Sequence, residues 1–392
     1  MLNLDKDQQK VIDNFQNHKI SIITGGPGRG KTAIITEICN ILDQNNLPYA
    51  LCAPTGKAAK RMSELTKRKA STIHRLLKAG FGRWTYFRGN KLYTYKYVII
   101  DETSMLDLEL IWHLIQSFPD YTKFIFVGDI DQLPSVGPGT VLRDLVKSKL
   151  IPTYYLTINH RQGKGSLISE NATRINNGEL KLSFNEDIQF IECANVIEIR
   201  EKIPLFIEDF KKSGYNLLSE CQVLTPQHKT KVGVQELNDM LRYNMNESAI
   251  PSEKLSLYDK VMQTTNDYTL KVFNGYLGQI IEDNYYNYKI KFFDGSEDES
   301  IIEYPKSSAS NLMLAYACTI HKYQGSEVKA GIIILSNAHT FMWDRQLLYT
   351  AVTRFKEKCI ILGDSQTFRK AILTQKSGDR NSKLQERIKG LL

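Results

Sequence analysis

Cysteine is scarce in this 392-residue chain, and what there is follows no pattern. Cys39, Cys52, Cys193, Cys221, Cys318 and Cys359 are scattered, with no C-x-x-C pair and no histidine at ligand spacing. Most sit inside apolar runs, so they read as reduced core thiols of a cytosolic protein, and no zinc site is indicated. No uninterrupted apolar run approaches the ~18 residues that a membrane span needs. The N-terminus carries Asp5, Lys6 and Asp7 where a signal sequence would carry an apolar core. The expectation is a soluble, cytoplasmic protein with no membrane partner. Repeats, low-complexity stretches, long linkers and a nuclease-like carboxylate cluster are also missing, which argues against a fused second activity. Charge bias is slight: 51 Lys+Arg against 43 Asp+Glu leave +8, which permits a polyanionic partner without demanding one. Hydrophobic content of 42% and charged content of 24% are ordinary for a globular protein. The length suits two or three domains at about 150 residues each.

What the chain does have is a complete phosphate-binding loop. A β-rich run, Lys19 to Ile23, leads into Gly25-Gly26-Pro27-Gly28-Arg29-Gly30-Lys31-Thr32, and a helical run from Ala33 to Leu42 follows. Glycines let backbone N–H groups curl around a β-phosphate, and the helix N-terminus adds partial positive charge. Lys31 is expected to reach the β/γ-phosphates, and Thr32 to offer its hydroxyl to Mg²⁺. A glycine-rich turn with no ligand would have no need of the Lys-Thr pair.

Up to about Tyr155, short apolar strands alternate with amphipathic helices. Strands are expected at Ser21–Thr24, Tyr49–Ala53, Tyr97–Asp101 and Phe124–Gly128, the signature of a parallel sheet with crossover helices. Ligands of such sheets gather at the carboxyl ends of the strands, where Gly25, Thr55, Asp101-Glu102 and Gly128-Asp129 fall. In a phosphate-loop enzyme one acid holds Mg²⁺ and another polarises the attacking water. Asp101 suits the metal and Glu102 the base. Gln132, in the next strand-end loop, suits a contact to the γ-phosphate and the water, though Gly-Asp and Leu-Pro are also ordinary turn chemistry.

A second α/β unit is expected after Tyr154–Gln162, with strands at Cys221–Thr225, Tyr316–Cys318, Gly331–Leu335 and Cys359–Leu362 and helices such as Gly233–Met240 and Asp344–Ala351. Within it, Asp259 to Pro305 alternates like antiparallel strands with Asn-Gly and Asp-Gly turns, as a small inserted β-barrel would. A further insertion, Leu77 to Tyr97, reads as a hairpin with aromatics and the cations Arg83, Arg88, Lys91 and Lys96. Its brevity and charge favour an exposed wedge over a hairpin with buried aromatics.

In this order the motifs resemble those of superfamily 1 helicases, specifically the 5′-to-3′ branch typified by the RecD and Dda proteins. The resemblance runs from Leu4 to about Gly363. Leu4-x-x-x-Gln8 looks like the adenine-reading motif. Ala53-Pro54-Thr55-Gly56-Lys57 and Ser71-Thr72-Ile73-His74-Arg75 are similar to motifs that touch single-stranded DNA. Asp101-Glu102-Thr103-Ser104-Met105 matches the branch's Asp-Glu-Ala-Ser-Met with Thr for Ala. Asn159-His160-Arg161-Gln162 resembles the motif whose arginine reaches the γ-phosphate from the second motor domain. Thr225-Pro226-Gln227-His228 resembles a second-domain DNA contact. Thr319 to Glu327, which includes His321 and Gln324, matches the motif linking DNA to nucleotide, with Tyr323 where a small residue is usual. Tyr349-Thr350-Ala351-Val352-Thr353-Arg354 matches the last motif, with Arg354 a second arginine finger.

The resemblance implies two RecA-like motor domains, 1–76 with 97–155 and 156–257 with 311–392. It also implies a hairpin pin at 77–96, with Phe87 or Tyr86 stacking on the last base pair, and an SH3-like barrel at 258–310. Catalysis would rest on Lys31, Asp101, Glu102, Gln132, Arg161 and Arg354. Nucleotide binding would fall to Gln8, Gly25 to Thr32, Gln324 and Glu327, with Mg²⁺ on Thr32 and Asp101. Pro54, Thr55, His74, Phe87, Thr225, Thr319 and His321 would touch DNA. The implied activity is ATP-dependent, 5′-to-3′ DNA unwinding by a monomer on single-stranded DNA and duplex junctions, in replication, recombination or repair, beside single-strand-binding or repair proteins. An RNA helicase of related architecture, or a nucleotide-gated single-strand-binding subunit of a recombination complex, stays open.

Overall fold

The structure is a computed structural model that describes residues 4–77, 94–160, 167–293, 300–375 and 382–390. Its contacts divide the chain into two units, Met1–Lys164 with Ser377–Leu392, and Gly165–Lys376.

The first unit holds six strands: β1 (Ile20–Thr24), β2 (Tyr49–Ala53), β3 (Ala70–Thr72), β4 (Tyr97–Ile100), β5 (Lys123–Gly128) and β6 (Thr153–Tyr155). They form one sheet in the order β3-β2-β4-β5-β1-β6, every pair parallel. Around it run α1 (Lys6–Asn14), α2 (Lys31–Gln44), α3 (Gly56–Thr66), α4 (Ile73–Leu76), α5 (Leu108–Gln116) and α6 (Val141–Ser148). Side chains alternate faces along a strand, and here both faces are covered. Ile22, Val98, Ile100, Phe124 and Phe126 pack with Leu110 and Leu114 of α5 and Leu142 and Leu145 of α6. Their neighbours Ile23, Ile99, Ile125 and Val127 pack with Val11 of α1 and Ile34, Ile35, Ile38 and Leu42 of α2. Strands β3 and β6 escaped the sequence reading because three residues carry almost no periodicity.

In the second unit come α7 (Leu167–Asn177), β7 (Ile188–Glu192), α8 (Val196–Lys212), β8 (Cys221–Thr225) and α9 (Val234–Met245). Next are β9 (Lys260–Gln263), β10 (Leu277–Asp283), β11 (Asn287–Phe292), β12 (Ser300–Pro305) and β13 (Leu312–Leu314). The unit closes with β14 (Ala317–Thr319), β15 (Val328–Leu335), α10 (Arg345–Val352), β16 (Phe355–Gly363) and α11 (Ser365–Leu373). A five-stranded sheet, β14-β8-β15-β16-β7, is wholly parallel. The inserted β12-β11-β10-β9-β13 sheet is wholly antiparallel. Its last strand, β13, lies past the 258–310 span expected for the insertion, because Leu312 to Leu314 pair with Gln263 to Val261. Lys260 ties the two sheets together: its buried ammonium donates to Cys221 O at 2.8 Å and Gln222 Oε1 at 3.2 Å.

One stretch groups differently from the sequence reading. The C-terminal helix α12 (Leu384–Ile388) belongs with the first unit, not with 311–392. Leu384 and Ile388 pack on the α5/α6 side of the sheet, and Ser382 Oγ donates to Asp144 Oδ2 at 2.7 Å. A five-residue amphipathic helix carries no sequence record of which surface it will cover.

Candidate active site

The order β2-β4-β5-β1 brings four strand ends side by side. Thr24 is paired with Gly128, Ile100 with both Cys52 and Phe126, and the Asp101 N–H donates to Cys52 O at 3.0 Å. The loop from Gly25 to Thr32 therefore leaves the sheet next to Asp101 and Asp129. Gly28 and Gly30 hold φ of 73° and 78°, a left-handed backbone that favours glycine. At Gly30 an added Cβ would also lie 2.3 Å from Gln8 Nε2. Helix α2 starts at Lys31, so its first N–H groups and dipole face the loop. The Lys31 ammonium donates to Gly25 O at 2.6 Å and Gly26 O at 3.0 Å, arched over the cradle.

Asp101 is half-buried at the end of β4. Desolvation raises its pKa above the ordinary carboxylate value, against the pull of the Glu102 N–H (2.8 Å to Oδ1), Lys31 and Arg61. Glu102 stands at φ 52°, a left-handed conformation for a side chain with a Cβ. Strain of this kind, of order 1–3 kcal/mol, concentrates at functional sites. Thr103, the residue that departs from the family's alanine, hydrogen-bonds through its buried hydroxyl to Ile100 O (3.1 Å) and Val127 O (2.8 Å) and stitches β4 to β5. Gln132 is buried, with its Nε2 donating to Asp129 Oδ2 at 3.1 Å. Asp129, 1% exposed, also accepts from the Asp131 N–H at 3.0 Å, so it is the fixed post on which Gln132 turns. The sequence places Asp129 at the ligand edge without a role, and only the structure ties it to Gln132.

Two further groups missed from the sequence buttress the loop. Asp7 accepts from the backbone N–H and hydroxyl of Thr157, and both bonds hold its carboxyl below the ordinary value. The His160 N–H donates to Gly28 O at 2.7 Å, and its ring bonds Asp5 at 2.6 Å. These contacts join residues some 150 positions apart, which no local pattern reports.

Of the residues expected to touch DNA, Pro54 and Thr55 sit half-exposed at the end of β2, Thr55 capping α3 through the Ala58 N–H. His74 is exposed on α4. In the second unit, Thr225 and Thr319 are register partners at the carboxyl edge of the parallel sheet. Neither presents its hydroxyl outward. Thr225 is fully buried and donates to Val232 O at 2.8 Å, while Thr319, 6% exposed, accepts from the Lys322 N–H at 3.1 Å. Exposed groups in the loops that follow these two strands include His228, Lys229 and His321. Tyr323 is buried, so the bulk added at that motif position is absorbed in the core.

Arg354 is 2% exposed, and its guanidinium donates to Thr350 O (2.9 Å), Ser326 O (3.1 Å) and Thr353 Oγ1 (3.0 Å). It is thereby fixed to the Thr319–Glu327 motif, where Gln324 is buried and Glu327 lies 3.8 Å from the Lys356 ammonium. Among the described residues, no carboxylate is within ion-pair distance of Arg354. Arg161 and Phe87, with most of the 77–96 hairpin, lie outside the described residues.

Residues 8–138 match the AAA domain family, and residues 314–362 match the UvrD-like helicase C-terminal domain. The ATP-dependent RecD2 DNA helicase of Deinococcus radiodurans is 34% identical across 98% of this chain. This chain spans 52% of that protein, about half its length. The RecBCD enzyme subunit RecD of Mycobacterium tuberculosis is 29% identical, with 93% of this chain covering 70% of that one. A solved Pif1 helicase from Bacteroides, in complex with ADP-AlF3 and ssDNA, shares the fold at a TM-score of 0.60 and 19% identity, over 96% of this chain and 95% of that one. Two RecA-like parallel sheets with a phosphate loop on the first define the class. The expected likeness to RecD-type superfamily 1 helicases is thus borne out in sequence, and the chain shares its fold with a Pif1 helicase. Among the described residues no helix is long and apolar enough to cross a membrane.

Proposed function

We propose that this chain is an ATP-dependent DNA helicase that moves 5′ to 3′ along single-stranded DNA. The observation that carries this is the convergence of Lys31, Asp101, Glu102 and the Asp129–Gln132 pair on one sheet edge around a left-handed glycine loop. Lys31 and the loop N–H groups would bind the phosphates, with Gln8 reading the base. The Thr32 hydroxyl and the Asp101 carboxylate are hard oxygen donors, a set that fits Mg²⁺. The metal would neutralise phosphate charge when bound. Glu102 would accept a proton from the attacking water, and Gln132, turned by Asp129, would orient it.

Arg354 supports the same reading: among the described residues its buried guanidinium has neutral acceptors alone, which leaves its full charge available for an anion. With Arg161 it would stabilise charge on the γ-phosphate, and Gln324 and Glu327 would relay strand contact to the nucleotide. Pro54, Thr55, His74 and His321 would line the DNA path. Thr225 and Thr319 would act from beneath, ordering the loops that present His228 and Lys229. Residues 77–96 would form the wedge, and 258–310 an SH3-like barrel.

A second reading has support in the RecD relatives that are named as subunits of a larger enzyme: a motor that needs partners to unwind. ATP-driven unwinding of duplexes with 5′ or 3′ tails, and of matched RNA substrates, tests both. Strand separation confined to 5′-tailed DNA is the expected result. Strand-stimulated hydrolysis without separation would favour the subunit reading, and preference for RNA tails would overturn the substrate.

A further inference from the structure

One carboxylate in the first unit holds two groups that flank the phosphate loop. Asp5 Oδ1 accepts from the N–H groups of Asp7 (2.7 Å) and Gln8 (2.9 Å), capping α1. Its Oδ2 lies 2.6 Å from His160 Nε2. A carboxylate only accepts when ionised, so that ring nitrogen carries the proton. The Asp5 N–H in turn donates to Gln8 Oε1 at 3.1 Å, completing a capping box.

This network decides which end of the Gln8 amide faces the loop. Oε1 is tied back to the cap, so Nε2 lies over Gly30, 2.3 Å from where a Cβ there would stand. The His160 ring is on the same glycine, with Cδ2 3.4 Å from that point, and its own N–H is anchored to Gly28 O at 2.7 Å. Gln8 and His160 are thus both held against Gly30 by one side chain.

We propose that Asp5 is a positioning residue for base selection, orienting Gln8 and His160 so that the site takes adenine in preference to guanine nucleotides. The inference rests on the ATPase reading above and on Gln8 as the base reader. A locked amide offers one donor, Nε2, beside the second lone pair of Oε1. That pair complements adenine N7 and the N6 amino group, whereas guanine sets its O6 acceptor against Oε1. Loosening either support blurs the distinction while Lys31, Asp101 and Gln132 keep their own partners.

The test uses the full chain with Asp5→Ser, Asp5→Asn and Gln8→Ala, assayed for strand-stimulated hydrolysis of ATP and GTP. Binding of the fluorescent N-methylanthraniloyl forms of both nucleotides provides the second measurement. Serine still caps the helix but is too short to reach His160. Asparagine keeps both reaches, since a neutral imidazole can accept from its amide. For Asp5→Ser, KM for ATP is expected to rise about three- to tenfold, the worth of one lost hydrogen bond, and the ATP-over-GTP preference to fall by a similar factor. Its kcat should stay within about twofold, and Asp5→Asn should restore most of the preference. Asp5→Ser with wild-type KM and wild-type base preference, while Gln8→Ala loses that preference, would overturn the role of Asp5 alone. Absence of nucleotide hydrolysis by the wild-type chain would overturn the ATPase reading and this inference together.

Discussion

Replacing Arg354 separates the duty it has in the fold from the one proposed for it at the nucleotide. The guanidinium makes three hydrogen bonds of 2.9–3.1 Å inside the second unit, to two backbone carbonyls and one hydroxyl. Alanine leaves those acceptors short of a donor in a buried setting. Weighing the lost charged bonds against the removed desolvation of the cation gives a net loss of about 2 kcal/mol. For a unit of this size that lowers the melting temperature by roughly 4–8 °C, which leaves Arg354→Ala folded at assay temperature. The catalytic effect is far larger. An arginine that stabilises γ-phosphate charge in the transition state is worth roughly 10³–10⁵ in turnover, or about 4–7 kcal/mol. Arg354→Ala should therefore lose at least about a thousandfold in kcat with single-stranded DNA present, yet bind nucleotide within about tenfold of wild type. Arg354→Lys keeps the charge but not the fork, and should recover stability more than turnover. Steady-state hydrolysis, nucleotide-binding titration and a thermal melt on the same preparations decide it. Turnover of Arg354→Ala within tenfold of wild type would refute the finger assignment, however well the guanidinium sits in its pocket.

Three other perturbations follow from the geometry. Lys31→Ala removes the ammonium over Gly25 and Gly26 and should abolish strand-stimulated hydrolysis while leaving the melt nearly unchanged; wild-type turnover would defeat the active-site assignment. Arg242 and Asp259 form a buried pair (2.7 Å) between α9 and the start of the inserted sheet, with Asn246, Ser256 and Tyr316 on the same carboxylate. Asp259→Ala strands the guanidinium and should destabilise the second unit by about 3–5 kcal/mol, read by chemical denaturation. Asp7 has its folded pKa depressed by Thr157, so its stabilising share is present above the ordinary carboxylate value near 4 and is lost as pH falls through the lower folded value. Acid unfolding of Asp7→Asn should accordingly start from a lower stability and show a shallower dependence on pH below about 4; an unchanged slope would contradict the linkage.

How much of this was legible in advance depended on the range of each interaction. The Gly25–Thr32 loop, the strand ending at Asp101 and the parallel alternation are local patterns, and glycine conformation, helix-start chemistry and apolar runs make them readable residue by residue. The strand at Tyr49–Ala53 shows through an unbroken buried run, whereas Ala70–Thr72 and Thr153–Tyr155 do not, because a three-residue strand is specified by its neighbours. Likewise Thr225 and Thr319 are polar residues in strand-end motifs, and only packing shows that both hydroxyls turn inward.

The amino-acid order by itself determined a glycine-rich phosphate-loop motif and two parallel sheets, since those features are written in short-range chemistry. Tertiary structure alone decided that Asp129 holds Gln132, that Asp5 and Asp7 clamp the segment from Thr157 to His160 against the loop, and that the C-terminal helix returns to the first sheet. Each of these joins groups by direction and distance in space, and a carboxylate's partner is set by whichever donor the folded backbone carries within about 3 Å of it.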